Sequence, residues 1–402
     1  MRRTDWRTPS VVLACGGIIL MLALGTRQSF GLFLVPMSVD LGWGREVFSF
    51  AIALQNLVWG FAMPFAGAVA DRHGAGRVLA VGGLAYALGL AAMAHATSPL
   101  AFDIAGGLLV GLGLACTGFG VVLAVVARAF PPERRSVAVG LAGAAGSFGQ
   151  FAMLPASGAL IWGFGWLSGL LVLSALASLM IPLGGALAGR NAAALESDQS
   201  IGAALAEAVA HRGFWLLTAS FFVCGFQTVF VMTHFPAYLV DRGLTPTQGM
   251  SALATIGLFN IAGSYFAGSL GARYSRKWIL VWIYVIRALA ITLFISTPLT
   301  MVGVYLFAAV LGFTWLGTVP LTNSLVGQIF GMKYLSTLFS LTFLGHQIGG
   351  FAGAWAGGAS FDASGSYLPV WLGAIALSVV AAALCVPIDE RAIERHPVPR
   401  AA

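Results

Sequence analysis

Charge is what this sequence has least of. Only 9% of its 402 residues are Asp, Glu, Lys or Arg, where a soluble domain carries roughly a quarter. Water is therefore not the main solvent of the chain. Acidic residues are the scarcer kind, 14 in all, and none falls deep within an apolar stretch; Asp103 and Asp362 lie near the ends of theirs. A relay of buried carboxylates finds no support. Cysteine is equally sparse. Cys15, Cys116, Cys224 and Cys385 all sit inside apolar stretches without metal-ligand spacing, and read as reduced, buried small hydrophobes. There is no nucleophile–base set, metal constellation or phosphate loop, so an enzyme is not expected and no cofactor is implied. The net charge of +7 does not point to nucleic acid, because the basic residues form short clusters between apolar spans rather than a basic face.

What fills the sequence is apolar: 59% of residues, with a mean hydropathy of +0.90. Stretches of about 20 apolar residues, enough to cross a ~30 Å hydrocarbon core, recur along the whole chain. A cleaved signal peptide therefore does not account for the first of them. The spans read as 11–36, 46–70, 78–97, 102–129, 136–162 and 166–189, then 213–239, 247–271, 277–296, 299–329, 334–360 and 367–387. They are too long and too uniformly apolar for barrel strands, so an all-α membrane protein of twelve transmembrane helices is expected. A polar interval, 190–212, holds Glu196, Asp198, Gln199, Ser200, Glu207 and His211 and separates two halves of six spans, 1–189 and 213–402. Within it, Ser200 to Ala210 reads equally as a surface helix or a plain linker. Placing the N-terminus in the cytoplasm puts 17 of the 21 basic residues there too, with only Arg45 and Arg242 outside and Arg27 and Arg287 within spans. Both termini are then cytoplasmic, and the expected location is the cell inner membrane, crossed many times.

The loop after the second span reads Gly67-Ala-Val-Ala-Asp71-Arg72-His73-Gly74-Ala-Gly-Arg77, and the loop after the eighth reads Gly268-Ser-Leu-Gly-Ala272-Arg273-Tyr-Ser-Arg276-Lys277. Equivalent places in two halves mark an internal six-helix repeat, with a binding site expected at mid-depth between them. The first loop resembles the Gly-x3-Asp-Arg-x-Gly-x-x-Arg signature of the major facilitator superfamily. The resemblance implies that Gly67, Asp71, Arg72, Gly74 and Arg77 gate the cytoplasmic side, tying the second helix to the eleventh. Gly67 would allow close helix approach, Asp71 would cap a helix N-terminus near Lys333–Ser336, and Arg72 and Arg77 would pair with carboxylates and lipid phosphate. A merely anchoring basic loop is the alternative. In the second copy Ala272 replaces the Asp, so a gating role there is in doubt.

Further segments look like bacterial relatives of the monocarboxylate porters and oxalate–formate exchangers: Gly25-Thr-Arg27-Gln28-Ser29-Phe30-Gly31, Phe48 to Asn56, Gly257 to Gly263, Trp315 to Asn323, and His346-Gln347 with the glycines after it. This implies a monocarboxylate-like organic anion. One departure matters: the arginine often found after the eighth-helix Asn-x-x-Gly pattern is Ser264 here, so another cation must recognise a carboxylate. The fourth-helix Arg-x-x-Gln-Gly pattern of drug antiporters is absent, with Gly106-Gly107-Leu-Leu-Val-Gly111 in the region.

A charge at membrane depth costs at least ~2.5 kcal/mol on insertion scales, so each is a functional hypothesis. Arg27, mid-span, is the best candidate to hold an anion, since guanidinium grips carboxylate bidentately; snorkelling or bonding to carbonyls within its bundle is the alternative. Arg287 is expected to pair inside its own bundle. His346, mid-span in the eleventh helix, can carry a coupled proton or a second positive charge, or simply be a hydrogen-bonded core residue; His234 is a weaker proton-coupling candidate. Gln28, Asn56, Gln150, Gln227, Asn260, Asn323 and Gln347 are either cavity lining or helix–helix glue. Trp59, Trp315 and Phe148 would close off an apolar substrate tail or pack toward lipid. The sequence thus reads as a monomeric secondary transporter. It would move a small organic anion, with protons and membrane lipids as further partners, by alternating access. Export of hydrophobic or neutral compounds is the nearest alternative and a non-transporting membrane sensor a remoter one.

Overall fold

The computed structural model describes residues 7–188, 200–331 and 334–393, and among these the regular structure is helical throughout. Much of the 190–212 interval, including Glu196, Asp198 and Gln199, lies outside the described residues, as does Lys333. The long helices are α1 (Pro9–Leu32), α2 (Arg45–His73), α3 (Ala75–Ala94), α4 (Pro99–Ala129) and α5 (Val137–Leu187), then, after the short α6 (Ile201–Ala210), α7 (Arg212–Asp241), α8 (Pro246–Gly271), α9 (Arg276–Ser296), α10 (Met301–Phe330), α11 (Leu335–Ser364) and α12 (Leu368–Cys385). Ten of these are long and apolar enough to cross a membrane. Within α5, Gly165 at φ 83° breaks the helix into two arms, in the gap where the sequence separates its fifth and sixth spans. The 30-residue α11 is not among the ten. Its glycines and buried polar residues face neighbouring helices rather than lipid.

Local chemistry sets the boundaries. Thr245 and Gln248 form a reciprocal capping box at the start of α8, followed by Pro246 at the first helical position. Ser200 caps α6, its hydroxyl accepting from the Ala203 amide; the second part of the polar interval is therefore helical. Gly365, at φ 67°, ends α11 in the left-handed conformation that favours glycine. α10 is broken between Phe313 and Thr318, which frees carbonyls that lipid cannot satisfy. Arg287 of α9 supplies the donors. Fully buried, it donates to the carbonyls of Thr314 and Trp315, the latter at 2.6 Å, and to Gln227 Oε1 at 3.3 Å. All three partners lie in the second half of the chain, as expected of it. The cysteines are free; Cys224 and Cys385 are buried, whereas Cys15 and Cys116 are only half-buried.

Close approach between α7 and α11 depends on glycine. A Cβ at Gly225 would collide with the carbonyl of His346, and one at Gly349 with that of Phe222. Since backbone cannot yield as a side-chain tip can, Gly225→Val is expected to abolish the monodisperse peak of the detergent-solubilised protein in size-exclusion chromatography.

The two halves of the chain meet from the end that carries Arg45 down to mid-depth. Gly31 abuts the Met232 carbonyl, Gly60 sits against the Gln347 side chain, and Gly257 against the Gln150 backbone. At the opposite end the glycines Gly67, Gly140, Gly143 and Gly268 face open space.

Candidate functional site

Arg27 lies near the end of the regular part of α1, partly buried, where the chain tightens into the turn Ser29–Leu32. Its guanidinium is held from both sides of the seam. Nη2 donates to Asn56 Oδ1 of α2 at 2.6 Å, and Nη1 stands 3.5 Å from the Met232 sulfur of α7, in the other half. The Trp59 ring lies beneath it, 5.1 Å from the guanidinium carbon, a distance at which the ring quadrupole attracts a cation. Asn56 is oriented by donating to the Ile52 carbonyl at 2.7 Å. Among the described residues no carboxylate pairs with Arg27, and its Nε has no hydrogen-bond partner.

His346 belongs to the same group. Trp59 meets Phe343 edge-on at 5.4 Å, and Phe343 stacks on the His346 ring at 5.4 Å and 5°. Phe221 covers the ring from α7 at 4.7 Å. His346 Nδ1 faces Gln347 Oε1 at 3.1 Å. A Cβ at Gly60 would lie 2.8 Å from Gln347 and one at Gly350 3.2 Å from Asn56 Oδ1, so Asn56, Gln347 and Arg27 occupy one stretch of the seam. The buried polar atoms left without partners there include the donors Arg27 Nε, Trp59 Nε1 and Gln347 Nε2, and also His346 Nε2, whose role depends on the tautomer; buried Gln28, next to Arg27, likewise has an unpartnered Nε2. Buried donors without acceptors are costly, and the group that satisfies them must be an acceptor.

The other polar candidates go elsewhere. Gln150 and Asn260 bond to each other across the halves at 3.1 Å, while Asn260 Oδ1 also accepts from the Leu316 amide and from Ser264. They are a strut between α5 and α8. Gln227 is not brought to Arg27; it donates to the Ala374 carbonyl at 2.9 Å and to Ser378 and accepts from Arg287, committed wholly to its own half. Asn323 is half-buried on the last part of α10. His234 bonds the Ala354 carbonyl at 2.8 Å and approaches Tyr367 and Ser49 near the Arg45 end. Trp315 is buried and Phe148 half-exposed. A recess of about 730 Å³ lined by Val35, Pro36, Trp162, Trp166 and Pro236 is mostly apolar, with Asp40 on its wall, and includes none of the predicted site residues.

The model of the Major Facilitator Superfamily matches residues 16–354 and 241–401. The chain belongs to the Major Facilitator Superfamily. It is thus a multi-pass membrane transporter of that superfamily. It is similar to an uncharacterised MFS-type transporter, YcxA, of Bacillus subtilis, at 23% identity over 90% of both chains. It is also similar to monocarboxylate transporter 13 of Rattus norvegicus, at 26% identity over 86% of this chain and 81% of that one. In fold it matches the inward-facing, occupied bacterial homologue of the human lysosomal transporter Spinster, with a TM-score of 0.72 at 16% identity, covering 94% and 96% of the two chains.

The superfamily signature sits at the end of this facilitator opposite Arg45. Asp71 accepts from Arg128 of α4 at 3.4 Å, within its own half. Asp71, Arg72 and Arg77 are exposed and Gly74 is half-buried. The expected close approach at Gly67 is not made: a Cβ there would meet nothing within 4 Å. The partner expected for Asp71 near Lys333 falls partly outside the described residues.

Proposed function

We propose that this facilitator is a secondary active transporter of a small, monocarboxylate-like organic anion, working by alternating access. The observation that carries the reading is Arg27: a guanidinium between the two halves with no carboxylate partner among the described residues and with unpartnered buried donors beside it. Carboxylate satisfies a guanidinium fork bidentately, and does so more strongly where water is scarce. Similarity to a protein named monocarboxylate transporter 13 agrees with that chemistry.

Counting the arms of α5 separately and including α11 gives twelve spans in two bundles, 1–189 and 213–402, joined by the 190–212 connection. With the Lys/Arg-rich loops in the cytoplasm of a cell with an inner membrane, the Arg45 end faces outward. Rocking about the seam would expose Arg27 to either side in turn, with Gly67, Asp71, Arg72, Gly74 and Arg77 closing the inner end in the opposite phase. His346, ring-stacked in the same cluster, is the group suited to take up a coupled proton.

Melting curves of the purified protein test the reading. Pyruvate and benzoate are expected to raise the melting temperature while lactamide and benzamide do not, since a ligand at 100 times its Kd stabilises by about 2.7 kcal/mol. Stabilisation by neutral compounds and none by the anions would favour export of neutral molecules instead.

A further inference from the structure

The Arg45 end is held by a set of bonds that run from one half of the chain to the other and concentrate on two adjacent residues. α2 begins at Gly44 without a side-chain cap of its own, which leaves its first amides in need of acceptors. The acceptor comes from the other half. Asp362, on α11, takes the Arg45 amide at 3.0 Å on Oδ1 and the Glu46 amide at 2.7 Å on Oδ2. A carboxylate is favoured there by the helix dipole as well as by hydrogen bonding. Gly44 permits the contact, since a Cβ there would collide with the Asp362 carboxylate.

The Arg45 side chain extends the grip. It forms a two-pronged pair with Asp241 at the end of α7, at 2.5 and 2.7 Å, donates to the Tyr367 hydroxyl at 2.8 Å, and lies 3.7 Å over the Phe361 ring. Glu46 accepts from the Trp355 indole at 2.8 Å. Behind these, His234 contacts both Tyr367 and Ser49. Each of these partners of Arg45 and Glu46 lies in the second half of the chain.

We propose that Asp362, with Asp241, is a latch: it closes the Arg45 end by capping and pairing α2 across the seam, and its release sets how often that end opens. The inference rests on the rocking of two halves proposed above, but not on Arg27 or on any substrate. The latch must break for each opening, because separating α2 from α11 uncaps the helix and strips Arg45 of Asp241 in one motion. Surface ion pairs contribute little singly; here the pair is bidentate, partly buried and joined to two backbone amides.

The test is a distance measurement by double electron–electron resonance on the full chain in lipid nanodiscs. Spin labels go on Val39→Cys and Leu368→Cys, exposed positions flanking the latch on the two halves, in a background lacking the four native cysteines. Asp362→Ala is expected to raise the long-distance population at least about tenfold, as removal of two charge-assisted bonds implies. Gly44→Ala, which leaves both carboxylates in place but crowds Asp362, is expected to shift the distances the same way. Asp40→Asn should leave them unchanged, since Asp40 bonds Trp166 within its own half. Wild-type distances in Asp362→Ala and Gly44→Ala alike, with both proteins monodisperse, overturn the latch. If Asp362→Ala does not fold, Gly44→Ala and Asp241→Asn decide. An anion-uptake defect in Arg27→Ala without a distance change bears on the binding site alone.

Discussion

Arg27→Ala is expected to reduce uptake of an organic monoanion into proteoliposomes by about 100-fold while expression and monodispersity stay at wild-type levels. The magnitude follows from the bonds lost: a charge-assisted contact contributes about 1.5–3 kcal/mol, and about 2.7 kcal/mol corresponds to 100-fold. Folding should survive because the partners of Arg27 are few and adaptable. Asn56 keeps its bond to Ile52, and Met232 contributes only a weakly accepting thioether at 3.5 Å. Arg27→Lys should recover part of the uptake, since it keeps the charge but not the two-pronged geometry. Full uptake by Arg27→Ala would remove the residue from the site.

Arg287→Leu should do the reverse, with the loss falling on the folded state. Leucine fills much of the space but takes the guanidinium donors from the carbonyls of Thr314 and Trp315 at the break in α10, the latter keeping only the weak Cys224 thiol at 3.9 Å, and leaves Gln227 Oε1 without its cation. Each buried acceptor so orphaned costs about 1–3 kcal/mol, and three of them rival the 5–15 kcal/mol by which proteins are typically stable. The expected result is loss of monodisperse protein in detergent, with Arg287→Lys intermediate. Recovery of Arg287→Leu at wild-type yield and melting temperature would refute that account. The two arginines within spans thus divide: one completes a broken helix and the other waits at the seam.

That division was only partly readable from the sequence. Apolar length locates the spans, because lipid imposes it directly, and the gap between the fifth and sixth spans coincides with the break at Gly165. Arg287 could be assigned to its own bundle from its place in the repeat. Which amide meets which cation could not. Gln227 sits on a helix buried on nearly all sides, so periodicity does not say which of its faces looks toward the seam, and the structure gives it to Arg287. Met232 carries no polar signal at all, yet it brings the second half of the chain to Arg27. The residues of the latch misled in another way. Arg45, Asp241 and Asp362 each read as ordinary residues near span ends, and only the packing of α2 against α7 and α11 joins them. Close approach was expected at Gly67, where a Cβ would meet nothing within 4 Å.

The Trp59 ring beneath Arg27 has an optical consequence. Indole emission responds to charge held over its face, and an arriving carboxylate would draw the guanidinium away from the ring or neutralise it in place. Occupancy of the cleft would then be written into the protein's own fluorescence. The contribution of Trp59 can be isolated from that of the other ten tryptophans by subtracting the signal of Trp59→Phe.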